Sequence, residues 1–220
     1  MSVIKADNYI SAYDRNSHKS DVDKYADSYH HNNNNHDKNG KPITPTEYKT
    51  VIVWRNVIGM SVLHLLALNG FYLGCSGIGH WAFFVIIWFI NFFGGFSILT
   101  GAHRLWAHRS YRAKWPLRLF LAFFQTAALQ NDIYEWCRDH RVHHKYTDTD
   151  ADPHNSSRGF FFAHVGWLLC RKHPDVIRKG QTIDMSDLMA DPIVRFQRKY
   201  YKLLVLFIRV FLFTGYIGVY

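Results

Sequence analysis

The chain has 220 residues, 48% of them hydrophobic and 17% aromatic, with a formal charge of +9. That composition excludes a wholly disordered chain, and three cysteines, an odd number, argue against a disulfide-stapled secreted fold. The first 50 residues hold seven basic and seven acidic side chains, so the whole positive excess sits in residues 51–220.

Residues 1–46 scatter Tyr, Asp, Lys and Ser without period and include the run His30-His31-Asn32-Asn33-Asn34-Asn35-His36. With no apolar stripe to bury, this segment is expected to be a disordered cytosolic tail. It lacks the apolar core of a signal peptide, so the first span is expected to act as its own targeting signal.

From Asn56 to His103 there is no Asp, Glu, Lys or Arg over 48 residues. As helix that is about 72 Å, more than two crossings of a roughly 30 Å hydrocarbon core. Gly74, Gly77 and Gly79 mark a turn, which predicts spans at about 57–73 and 81–101. A helical hairpin buried in a soluble protein is the alternative. Lys49 and Arg55 precede the first span, and Arg104, Arg109, Arg112, Lys114 and Arg118 follow the second, whereas the turn carries no charge. The excess of basic residues places both outer ends in the cytosol. Leu119–Asn131 is too short to cross, reaching about 20 Å, and is expected to lie at the interface. Residues 203–220 read as a third span interrupted by Arg209. The expected fold class is all-α: a multi-span integral membrane protein with a cytosolic helical region carrying a di-metal site.

The chemistry is expected in the cytosolic stretch. His103-Arg104-Leu105-Trp106-Ala107-His108 leaves the second span, and His140-Arg141-Val142-His143-His144 follows some thirty residues on. On a helix His140 and His144 stand about 40° apart and can grip one ion, while His143 points about 100° from His144. That pattern suits two metals, and an all-histidine donor set suits Fe, Zn or Cu rather than Ca or Mg. Glu135, Asp139, Asp148, Asp150 and Asp152 are available to orient ligand rings, or else are solvated loop charges. His18, His64, His80 and His173 read as interfacial or capping residues.

With Thr100-Gly101-Ala102 before the first group and residues 131–139 before the second, these clusters resemble the first two histidine boxes of the acyl-CoA delta-9 (stearoyl-CoA) desaturases. Trp54-Arg55-Asn56, Ala151-Asp152-Pro153-His154-Asn155 and residues 158–169 are similar to the same family, and the resemblance runs from about Glu47 to Tyr220. Residues 47–220 are therefore expected to be a C-terminally incomplete desaturase domain.

The resemblance implies an endoplasmic reticulum membrane enzyme with a cytosolic di-iron (Fe2+) centre. Such an enzyme uses O2 and electrons from cytochrome b5 to put a cis double bond into a long-chain saturated acyl-CoA, in unsaturated fatty acid biosynthesis. In that likeness His103, His108, His140 and His144 ligate one iron and His143 the other. Asn56, Asn131, Arg138, Asp139, Arg171 and Lys172 match positions that contact acyl-CoA. No nucleic-acid partner is expected. The family's third box, a further HxxHH beyond His140–His144, does not occur within these 220 residues, so the fragment alone is expected to be inactive. The alternatives are another histidine-box enzyme, an acyl-lipid desaturase or hydroxylase, or an inactive truncated paralogue.

Overall fold

The computed structural model describes residues 49–77 and 80–217. The predicted disordered tail and its His/Asn run lie outside the described residues. Helices account for the regular structure of the described residues, apart from one isolated antiparallel bridge, Ile52 to Cys170. The described residues form two compact units, one of 49–53 with 146–182 and one of 54–145 with 183–217.

The larger unit opens with α1 (Trp54–Cys75) and α2 (Trp81–Ser97). Helix α1 begins and ends beyond the apolar limits read from sequence, because hydropathy marks where a helix is apolar, not where its hydrogen bonds start. At 22 residues α1 is about 33 Å long and buries none of its side chains. Leu65, Leu66, Leu68 and Phe71 are each more than 60% exposed. The run Phe84–Ala107 is likewise long and apolar enough to cross a membrane, and little of it is buried. A core helix of a soluble protein would be covered on most sides, and these are bare, so the helical unit is membrane-associated. Gly77, at φ 68°, helps end α1. His80 caps α2 by accepting from the Ala82 N–H at 3.2 Å, one of the two roles, interfacial or capping, read from sequence.

Beyond Ser97 the second apolar helix does not stop at Gly101. It continues as a π-helix, Ile98–Ala107, which carries the first histidine group. Then come α3 (Trp115–Ala127), α4 (Ile133–Tyr146), the short α6 (Ser186–Ala190) and α7 (Pro192–Ile217); α5 (Pro174–Gln181) belongs to the other unit. Helix α3 starts before the apolar run because Pro116 suits a first turn, and the left-handed φ of Leu129 and Asn131 carries the chain away after it ends. It turns Leu121, Ala122, Gln125 and Thr126 inward and leaves Leu119 and Phe123 exposed. Helix α7 begins well before the predicted span: Asp191 Oδ1 accepts the Ile193 N–H at 2.9 Å, and Val194, Gln197 and Arg198 are buried.

The core joins the π-helix to α3, α4, α6 and α7 through Leu105, Trp106, Leu121, Ile133, Leu188 and Val194. A buried amide network ties it together. Gln197 Nε2 donates to Gln125 Oε1 at 2.9 Å and to Thr126 Oγ1 at 3.1 Å, and Gln197 Oε1 accepts the Ile133 N–H at 3.1 Å. Asp132 accepts the Glu135 N–H at 3.0 Å. Two of the orphan donors at the start of α4 are thus satisfied, one by a residue 64 positions later.

In the smaller unit, Val53 N–H donates to the Leu169 carbonyl and Arg171 N–H to the Val51 carbonyl, both at 2.8 Å. Asp152 accepts from the backbone N–H groups of Asp148 and His154, closing the acidic turn. His173 caps α5 (Pro174–Gln181) by accepting from the Asp175 N–H, again as expected of a capping histidine.

Candidate metal centre

Four of the five predicted ligands converge. The ring nitrogens of His103, His108, His140 and His144 all lie within 4.8 Å of one another. His108 Nε2 is 3.1 Å from His103 Nε2 and 2.9 Å from His140 Nε2. Two adjacent ligands on an ion with bonds of about 2.1 Å stand about 3.0 Å apart, so the spacing fits a shared transition metal.

Helix type explains the convergence. His140 and His144 share a face of α4 by ordinary α periodicity, their ring centroids 4.5 Å apart. His103 and His108 are five residues apart, which on an α-helix would separate them by about 140°. In the wider π turn the same spacing leaves roughly 50°, and the rings meet with centroids 4.5 Å apart. The His108 N–H donates to the His103 carbonyl at 2.9 Å, the i→i−5 bond that defines this register. Sequence reasoning missed the π-helix. The five-residue spacing is its one local signal.

The electrostatics favour neutral donors. Burial is the largest cause holding His140 down to about 3, with His144, His103, His108 and His143 adding to it. His108 and His144 are also held below the ordinary imidazole value, first by burial and then by neighbouring histidines. Neutral imidazoles present lone pairs, the form that binds metal. His103 and His140 are half-buried while His108 and His144 are exposed, so the cluster opens on one side.

His143 stands outside this set, its ring centroid 5.5 Å from His144 and 6.4 Å from His140. Trp136, one turn before His140, stacks on the His140 ring at 4.9 Å.

The π-helix and α4 are joined on both sides of the cluster. Cys137, fully buried, donates its S–H to the Ala102 carbonyl at 3.3 Å. Arg141 donates to the carbonyls of Trp106 and Ala107 at 2.7 and 3.2 Å. Neither contact was anticipated from sequence.

The remaining predicted residues are distributed over both units. Asn56 is half-buried in the first turn of α1. Asn131 is exposed at φ 64°, and its carbonyl accepts from Gln125 at 2.8 Å. Arg138 and Asp139 lie on α4, their side chains 3.4 Å apart, with Asp139 buried. Arg171 and Lys172 belong to the smaller unit, where with Arg158, Trp167 and His173 they line a shallow recess. Arg158 is a cationic neighbour that sequence reasoning did not single out. It donates to Thr50 Oγ1 at 2.7 Å and lies 3.5 Å above the Phe162 ring.

Bare apolar helices beside a cluster of four histidine rings define a membrane-associated helical protein able to hold a metal ion. Residues 79–220 match the family described as fatty acid desaturase, and the chain belongs to that family. It is 59% identical over 167 residues to an acyl-CoA desaturase of Cyprinus carpio, covering 75% of this chain and 50% of the carp protein. Over the same length it is 59% identical to an acyl-CoA delta-9 desaturase of Acheta domesticus, covering 75% of this chain and 45% of the cricket protein. It is 57% identical over 168 residues to a stearoyl-CoA desaturase of Homo sapiens, covering 76% and 44%. The chain thus spans about half the length of the curated relatives it matches.

Proposed function

We propose that the whole protein is an O2-dependent acyl-CoA desaturase that introduces a cis double bond at the delta-9 position of a long-chain saturated acyl-CoA. The observation that carries this reading is the meeting of four histidine ring nitrogens from two helices within 4.8 Å. The names of the relatives support the substrate class.

His103, His108, His140 and His144 would hold one iron of a di-iron (Fe2+) centre, with His143 a ligand of the second. Iron bound there supplies the activation of O2 that hydrogen removal from two unactivated methylenes requires. The reaction balances with two electrons and two protons: R–CH2–CH2–R′ and O2 become R–CH=CH–R′ and two waters. Cytochrome b5 is the proposed electron donor. The chain's own residues place the substrate and exclude water. Arg171 and Lys172, with Arg158 beside them, suit the phosphates of CoA. Asn56, Asn131, Arg138 and Asp139 are the other proposed acyl-CoA contacts. The location proposed is the endoplasmic reticulum membrane, multi-pass, with the histidines on the cytosolic side.

The test is iron per protein, with desaturation of stearoyl-CoA measured on the same preparations of the whole protein. His103→Ala, His108→Ala, His140→Ala and His144→Ala should each lose mainly one iron and nearly all activity. His143→Ala should lose mainly the other. His64→Ala is the control, because that ring bonds within α1, to the Met60 carbonyl at 2.7 Å. Full iron content in the four cluster variants would overturn the reading.

A further inference from the structure

Arg141 lies inside the second histidine group and spends its donors outside it. Its Nη2 donates to the Trp106 carbonyl at 2.7 Å and its Nε to the Ala107 carbonyl at 3.2 Å. These are end carbonyls of the π-helix, groups that a helix terminus leaves without an internal partner. The other edge of the guanidinium faces α6. Nη1 donates to the Asp184 carbonyl at 2.7 Å and to Asp187 Oδ1 at 3.0 Å, and Nη2 donates to Asp187 Oδ2 at 2.8 Å. The Arg141 side chain is 12% exposed, so solvent screens this pairing little.

Asp187 makes a second contact that bears on the same strand of chain. Its Oδ2 accepts from Arg109 Nε at 2.8 Å. Arg109 follows His108 directly and has a left-handed φ of 53°, a conformation that a non-glycine residue holds only when its surroundings fix it. Residues 106, 107 and 109, on both sides of His108, are therefore all tied to the Arg141–Asp187 pair. Across the two helices His108 Nε2 stands 2.9 Å from His140 Nε2, a spacing that a relative slip of about 0.5 Å would spoil.

We infer that Arg141 and Asp187 are positioning residues of the histidine cluster: Arg141 fastens the helix of His103 and His108 to the helix of His140 and His144, and Asp187 holds the guanidinium plane that does so. The inference rests on the metal-centre reading above. Only a planar, five-donor fork serves both edges at once, and a lysine in its place offers a single point of attachment.

The experiment is Co2+ titration of the whole purified protein, reading affinity and the visible absorption band, with thermal melting recorded on each sample. Arg141→Lys and Asp187→Asn should each weaken Co2+ binding at least tenfold and shift the band, whereas Asp187→Glu should recover most of both. Arg178→Lys, in the exposed i,i+3 pair with Asp175, should match wild type. Should Arg141→Lys fail to fold, the Asp187 pair of variants gives the same reading. Variants that melt earlier yet keep wild-type affinity and band would make the pair structural only and overturn the inference. If wild type itself shows no Co2+ band that His140→Ala abolishes, the metal-centre reading fails first and takes this inference with it.

Discussion

The backbone N–H of His108 donates to the carbonyl of His103 at 2.9 Å, and that single i→i−5 bond sets the direction of both rings. The bond belongs to a ten-residue π-helix, far longer than the single-turn bulges in which π geometry usually occurs. Its packing against α3 and α4 is what sustains it, through buried Gly101, Ala102, Leu105 and Trp106.

Gly101 sits where this helix meets α3. A Cβ there would come within 3.0 Å of the Trp106 ring and 3.1 Å of Leu121 Cβ. Neither neighbour is free to give: Trp106 donates its indole N–H to Asp191 at 3.2 Å, and Leu121 is fully buried. Gly101→Ala should therefore destabilise the protein by about 1–3 kcal/mol despite the better helix propensity of alanine. Gly95→Ala, with open space around it, should be neutral or stabilising. Melting temperatures of the two variants side by side check this, and equal values would refute it.

Gln197 is the hub of the buried amide network. Gln197→Leu keeps the approximate volume but leaves the Ile133 N–H, Gln125 Oε1 and Thr126 Oγ1 without this partner. At about 1–3 kcal/mol for each stranded buried group, the loss should reach about 3 kcal/mol or more. A variant within half that of wild type in denaturant or thermal melting would show that water replaces the amide.

Asp132 gives a pH signature. Burial pushes its carboxyl up to about 6, with the Glu135 charge adding to the shift and the Glu135 N–H opposing it. The folded value lies above the unfolded one, so the unfolded state ionises first and stability falls as pH rises from about 4 to 6. Asp132→Asn retains an N-cap oxygen without a charge to desolvate. Its stability should vary less across that window and at pH 7 should equal or exceed wild type. An unchanged slope of melting temperature against pH would remove Asp132 as the cause.

Topology is open to direct reporting. Glycosylation acceptor sites inserted after Gly77 and after Asn155 should be modified at the first position and not at the second, because the basic residues flank the apolar pair and the turn carries no charge. Modification at the second position would reverse the orientation.

The sequence by itself determined the features that depend on local pattern. An uncharged run of 48 residues requires an apolar environment, and the structure leaves its helices bare. The four-residue spacing of His140 and His144 puts them on one face wherever an α-helix forms, and His80 and His173 cap the helices that follow them. Tertiary structure alone decided the rest. The five-residue spacing of His103 and His108 diverges on an α-helix and converges only in a π-helix, which packing against α3 and α4 sustains. Asp187 meets Arg141 across 46 positions, and Gln197 meets Ile133 across 64. No periodicity encodes such pairs, because they are fixed by how the helices stack and by which orphan donors and carbonyls each helix end leaves to be satisfied.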